Sequence, residues 1–440
     1  MEIVIKIAQL LLSLSILVIL HEFGHFFFAK LFKTRVEKFY LFFDPWFSLF
    51  KYKKGETEYG VGWLPLGGYV KISGMIDESM DKEQLKQPAQ PYEFRSKSTW
   101  QRLLIMVGGV LVNFVLALVI YSVVLFTWGD QYLPNQNVKN GIMCDSLALK
   151  VGLQNGDKIL SVDHKRVDDF YKIPGEIVLN MAKTIQVERA GDTVNIALSE
   201  SMIGLMIKDP AFIAPRVPFI VGEFIKDSPA KKAGLQSGDK IISINKVPTV
   251  YFDEFSSNIK KFKSQKTNIG VLRGKDSLTF AVNVSKEGLI GVSLGGKLGD
   301  FFQLKQINYS LLEAVPAGIN KGFKKIGDYL KQFKLIFNTK TKGYESLGGF
   351  ITIGKIFPGV WDWQSFWELT AFLSIVLAIM NILPIPALDG GHVMFLIYEI
   401  ITGRKPGDKF LEYAQIVGMV ILFALLIYAN GNDIIRLFFK

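Results

Sequence analysis

The chain has 440 residues, of which 49% are apolar, with a mean hydropathy of +0.27. That is too apolar for an ordinary soluble protein and too polar for one that is membrane throughout, so a few spanning helices around a soluble insert are expected. The net charge of +11 then reads as basic residues at lipid headgroups, with nucleic acid not among the expected partners, and the lone Cys144 rules out an intrachain disulfide.

The first apolar segment, Ile3 to Phe28, is long enough to span a bilayer. It reads as a span and not a signal peptide: it is too long, Lys6 is its only early cation, and no small-x-small site follows. Within it stands His21-Glu22-Phe23-Gly24-His25, an HExxH motif in a chain with only four histidines. On a helix His21 and His25 share a face and can share a metal, and Glu22 can take a proton from a metal-bound water. Ionisable groups inside an apolar span are costly, which argues for function.

Residues 29–102 form a polar loop with thirteen Lys and Arg. In it, the alternation of Tyr59–Leu64 and the pair Gly67-Gly68 predict a small β-hairpin over Tyr59–Ile72. A second span is expected from Leu103 to Trp128. It holds Gly108 and Gly109, which suit close helix packing, and Asn113, a polar residue that needs a partner in lipid.

From 129 to 364 the composition becomes that of a soluble protein and repeats itself. Ser146–Leu160 and Ser228–Ile242, offset by 82 residues, agree at ten of fifteen positions. Each copy predicts a short helix, a glycine at its end, and a Gly-Asp turn into a strand, Lys158–Val162 and Lys240–Asn245. The shared pattern A-x-x-x-G-L-x-x-G-D-x-I resembles PDZ domains, which add an extended peptide or chain end to a sheet edge. Apolar residues at Ile319, Phe323, Ile326, Leu330, Phe333 and Phe337 then describe one face of an amphipathic helix, with flanking lysines that suit a membrane surface.

A third span, Phe366 to Leu388, ends in Asn381-Ile-Leu-Pro384-Ile-Pro386-Ala-Leu-Asp389-Gly390-Gly391-His392. The prolines break the helix, which lipid tolerates only where the freed backbone is buried or lines a cavity. A fourth span is expected from Tyr413 to Ala429. Odd-numbered spans cross in one direction, so His21, His25 and Asp389 should meet at one membrane face. A tetrahedral catalytic zinc wants three protein ligands and an open position; on chemistry alone His392 competes with Asp389 as the third. The basic loops put that face in the cytoplasm and the 129–364 insert outside.

Together these residues resemble the site-2 protease family of intramembrane zinc metalloproteases, in its regulator-of-sigma-E type with tandem PDZ domains. The likeness covers essentially the whole chain. The family's HExxH matches His21, Glu22 and His25, and its N-x-x-P-x-x-x-L-D-G motif matches Asn381, Pro384, Leu388, Asp389 and Gly390. Gly109 and Asn113 resemble its G-P-x-x-N motif, with Val110 in place of the proline. The resemblance implies one Zn2+ held by His21, His25 and Asp389, with Glu22 as base. It implies a membrane-associated β-loop that holds substrate at Gly67, Gly68 and Tyr69, while Asn113, Asn381 and Pro384 lie among the substrate contacts.

The expected fold class is a polytopic α-helical membrane protein of about four spans, with a β-hairpin and two inserted PDZ-like domains. Its parts are 1–128, 129–215, 216–298, an amphipathic linker region 299–364, and 365–440. The expected activity is hydrolysis in or near the transmembrane segment of single-pass substrates such as anti-sigma factors and signal-peptide remnants. The expected place is a bacterial inner membrane, with the PDZ-like domains periplasmic and open to peptide ligands. A non-catalytic PDZ scaffold and a zinc transporter or sensor are the other readings; neither needs Glu22.

Overall fold

A computed structural model describes residues 1–75 and 87–438. Lys82 and Lys86, two basic residues of the first loop, lie outside the described residues. The chain divides into two compact units: Met1–Gly129 with Asn308–Leu330 and Leu347–Lys440, and Asp130–Ile307 with Lys331–Ser346.

The first unit is helical. Helix α1 (Glu2–Leu31) has 30 residues, about 45 Å at the helical rise, which exceeds the hydrocarbon thickness of a bilayer. Strands β1 (Val36–Lys54) and β2 (Thr57–Ile72) follow. Helix α2 (Thr99–Trp128) opens with a capping box, Ser98 accepting from the Gln101 N–H. Later come α3 (Leu311–Ile336), α4 (Phe350–Ile356), α5 (Trp363–Ile382), α6 (Asp389–Thr402) and α7 (Asp408–Phe438). Four of these, α1, α2, α5 and α7, are long and apolar enough to cross a membrane.

Small residues set how closely these helices approach. A Cβ on Gly108 would lie 2.6 Å from the carbonyl oxygen of Gly24, so α1 and α2 touch backbone to backbone there. Polar pairs fix the helix ends. Arg102 at the start of α2 and Glu399 near the end of α6 form a buried 2.6 Å ion pair. Asp433 of α7 accepts from the N–H groups of Gly349 and Thr352 at 3.0 and 2.9 Å, holding the start of α4.

Two expectations change in this unit. The hairpin is larger than predicted and turns at Gly55-Glu56; Tyr59–Ile72 is one strand inside it. Residues 36–41 pair with 68–72 on one edge and with 58–61 on the other, while 48–54 pair with 57–62. Gly67-Gly68 makes no turn; it lets β2 pass close to α1, as described below. The third helix stops at Ile382, short of Leu388, because Pro384 and Pro386 cannot continue it, and Asp389 instead begins α6. Helix α3 touches α2 along part of its length, while Phe323 and Leu330 of its apolar face, and Phe337 just past its end, stay more than half exposed. A Cβ on Gly318 would meet Ser122 at 2.5 Å, and the Phe323 ring packs on Phe114 at 5.8 Å.

In the second unit each repeat has an apolar core of its own, around Ile185 and Val187 in the first and Ile269 and Val271 in the second. The local structure recurs as well. Ser146–Val151 and Pro229–Lys232 are short helices capped by Asp145 and Ser228, each followed by a glycine of positive φ, Gly152 at 103° and Gly234 at 98°. Strand Lys158–Val162 pairs antiparallel with Thr184–Arg189, and Lys240–Ile244 with Lys266–Arg273. Even the ion pairs repeat, Arg189 on Asp157 and Arg273 on Asp239, both at 2.7 Å. The linker expected from residue 299 starts later: Phe302 is buried in the first repeat's core, and Lys305–Ile307 pairs with Asp130–Tyr132.

Candidate metal centre

On α1, His21 and His25 lie one turn apart, and both are more than nine-tenths buried against α2. Helix α2 can come this close because residue 109 is glycine. A Cβ there would sit 2.7 Å from His21 Cε1 and 2.8 Å from His21 Nδ1, and would collide with His25 Nε2. The third side chain arrives from the far end of the sequence. The break at Pro384 and Pro386 ends α5 and starts α6 at Asp389, where a carboxylate also suits the positive end of a helix.

Three donor atoms converge. His21 Nε2 and His25 Nε2 are 3.3 Å apart, and Asp389 Oδ2 lies 3.2 and 3.3 Å from them. Metal–ligand bonds of about 2.0–2.2 Å at tetrahedral angles make edges of about 3.3–3.6 Å, so the triangle has the size of one face of a zinc tetrahedron. Asp389 Oδ2 is buried with no hydrogen-bond donor of its own, which a cation would remedy. Among the described residues no other trio of His, Cys or carboxylate groups converges in this way. The residues therefore fit a zinc ion. His25 is oriented for it: its Nδ1 lies 2.8 Å from the Ile105 carbonyl, so Nδ1–H donates there and Nε2 is left with its lone pair.

The triangle opens on a cavity of about 790 Å³. Glu22, Gly67, Gly68, Tyr69, Asn381 and His392 all line it. Gly68 is needed for the approach: a Cβ would lie 2.7 Å from Val18 Cγ1, 2.7 Å from the Tyr40 carbonyl oxygen and 3.4 Å from Glu22 Cγ. The outer edge of residues 68–72 has no strand partner among the described residues. Tyr69 is fixed by a 2.8 Å hydrogen bond from its hydroxyl to Asp44, and stacks on Tyr40 at 5.2 Å. Burial, reinforced by Asp44, holds that hydroxyl well above the ordinary phenol range.

The remaining expected residues fall in three places. Asn381 lies at the rim, its Nδ2 3.3 Å from His21 Nε2. Asn113 is fully buried behind His21 and does not line the cavity. Pro384 stands in the exposed turn, where it ends α5. His392 faces the cavity but is not one of the three converging donors. Sequence reasoning missed Gln415 of α7, which is 5% exposed and lines the cavity. The available signal was a polar residue in an apolar helix, three positions before Gly418, whose bare Cα sits against Ala387.

Comparison with known proteins agrees with this chemistry. Residues 9–425 match the family described as peptidase family M50. Two proteins named "Putative zinc metalloprotease" are similar along their whole length. The one from Neisseria meningitidis is 30% identical over 97% of this chain and 98% of its own. That from Rickettsia conorii is 29% identical over 99% of each. The "Regulator of sigma E protease" of Haemophilus influenzae is 28% identical over 98% of this chain and 99% of its own.

Proposed function

This chain belongs to peptidase family M50 and is a zinc metallopeptidase of the site-2 protease type, and from that premise we propose that it cuts single-pass membrane proteins within or beside their spanning segment. The observation that carries this is the triangle of His21, His25 and Asp389 set among apolar spans, in one cavity with Glu22 and with a strand edge, 68–72, whose outer side meets no other strand among the described residues.

His21, His25 and Asp389 would hold the zinc. When bound, it supplies Lewis acidity that polarises the scissile carbonyl and brings a bound water to a pKa of about 7. Glu22, on the cavity wall, takes the proton of the attacking water and returns it to the leaving amine. A helical substrate hides its peptide bonds, so it must be extended first. The outer edge of 68–72, which meets no other strand among the described residues, supports that step, since an unwound segment added there would recover its backbone hydrogen bonds. Asn381, beside His21 Nε2, is placed to donate from Nδ2 to the carbonyl under attack.

The two repeats, each with its own core, support reading 129–215 and 216–298 as PDZ-like domains that select peptides or chain ends. The Lys and Arg bias of the first loop supports a bacterial inner-membrane orientation with the zinc near the cytoplasm and the repeats outside. Anti-sigma factors and signal-peptide remnants are the substrates that the family suggests.

The test uses full-length protein in lipid with a tagged single-pass substrate. Wild type should cut it, and zinc chelation should stop it. Glu22→Gln should keep the zinc and lose at least ~10²-fold in rate, in the usual range for removing a general base. Equal rates for wild type and Glu22→Gln would reject the protease mechanism in favour of a scaffold or a zinc carrier.

A further inference from the structure

We infer that Asn113 is a positioning residue for the metal: its side-chain oxygen accepts the Nδ1–H of His21 and holds that imidazole with Nε2 toward the zinc. The inference rests on the zinc reading of His21, His25 and Asp389.

Three positions on one stripe of α2 meet the two imidazoles. The Ile105 carbonyl takes His25 Nδ1, Gly109 makes room for both rings, and Asn113 lies on His21 Nδ1 at 3.3 Å. The spacing of four keeps all three on one helix face. Each ligand therefore has one holder behind it, a backbone carbonyl for His25 and a side chain for His21.

The chemistry decides which end of the amide faces the ring. His21 offers Nε2 to the triangle, so a neutral His21 carries its proton on Nδ1 and needs an acceptor there. Asn113 is the only described polar group on that nitrogen. With its Nδ2 toward the ring, Asn113 sets donor against donor and leaves Oδ1 buried without a hydrogen-bond partner. The two ends of an amide have nearly the same shape, and their assignment follows the hydrogen-bond network. Turned end for end, the amide gives His21 its acceptor and Oδ1 its donor. Asn113 is also pinned from behind, where Ser374 of α5 donates to its backbone carbonyl at 2.7 Å.

This role differs from a substrate contact. Asn113 is fully buried, is not part of the cavity wall, and has the His21 ring between it and the metal.

The experiment measures zinc affinity by chelator competition in purified, folded, metal-depleted full-length protein, beside cleavage kinetics. Asn113→Leu keeps the shape and removes the acceptor, and should lose 10- to 100-fold in zinc affinity. Asn113→Asp can only accept, and should bind zinc as tightly as wild type or tighter. This second variant decides the matter even where Asn113→Leu fails to fold. Zinc affinity of Asn113→Leu equal to wild type would overturn the inference, as would Asn113→Asp binding zinc 10-fold more weakly than wild type. Unchanged zinc affinity with a raised KM in Asn113→Leu would return Asn113 to the substrate. Wild type that binds no zinc would remove the zinc reading and this inference together, an outcome separate from failure of the variants alone.

Discussion

Gly109→Ala is the smallest change that should take the centre apart. The added methyl would stand 2.7 and 2.8 Å from two atoms of the His21 ring and would collide with His25 Nε2. Ordinary contacts between such atoms are about 3.5 Å, so at least one ring must retreat by about 0.7 Å. Zinc sites tolerate about 0.2 Å in their bonds, and a misplacement of about 1 Å at a catalytic centre costs on the order of 10²-fold. That fold-change corresponds to about 2.7 kcal/mol. The assay is zinc affinity and kcat/KM in one preparation, with Gly431→Ala as control, since a Cβ at Gly431 in α7 meets nothing within 4 Å. Gly109→Ala should lose at least ~10²-fold in both quantities while the control keeps both. Wild-type zinc affinity in a folded Gly109→Ala protein would refute the packing argument, because the rings would then have room that the structure denies them.

Gly68→Ala places a methyl against Val18 and the Tyr40 carbonyl, displacing the strand edge but not the ligand triangle. Zinc binding should be unchanged and KM should rise several-fold, which peptide-cleavage kinetics would read. Glu399→Ala leaves the buried Arg102 guanidinium without its partner and should cost about 3–5 kcal/mol by thermal or chemical denaturation, while Arg102→Met with Glu399→Leu should recover most of that loss. In the second repeat, the hydrogen bond from Arg273 holds the Asp239 carboxyl below its ordinary value. A depressed carboxylate stabilises the fold above its unfolded pKa, and the benefit is lost as pH falls through the folded one. The melting difference between wild type and Arg273→Ala should thus be largest near neutral pH and shrink below about pH 4; a difference that stays constant down to pH 2 would contradict it.

The spans and the metal motif were legible because their signals are local. Apolar runs exceed a bilayer's width, and HExxH sets two imidazoles on one helical face. The third ligand was less so. Asp389 and His392 are three residues apart and equally able to bind zinc; the family resemblance favours Asp389, and the convergence of its Oδ2 on both Nε2 atoms agrees with that choice. The hairpin misled for a definable reason. Gly67-Gly68 has the composition of a turn, but the glycines serve a close approach to α1 that depends on a partner thirty residues or more away. Asn113 was legible as a polar residue in an apolar span, but its contact with His21 Nδ1 was not, since one sequence does not reveal which side of an imidazole a buried amide will meet. The periodicity of α3 showed an apolar face but not the contact with α2, for which Gly318 and Gly322 were the unread clue.

The ligands come from opposite ends of the chain, His21 and His25 before the inserted repeats and Asp389 after them. During synthesis the imidazoles and Glu22 emerge first, and the carboxylate that completes the centre follows 364 residues after His25. At ordinary translation rates that interval is roughly 20–70 s. For that time the nascent chain holds His21, Glu22 and His25 but not the carboxylate that completes the triangle. The triangle can therefore close only after both repeats have been made.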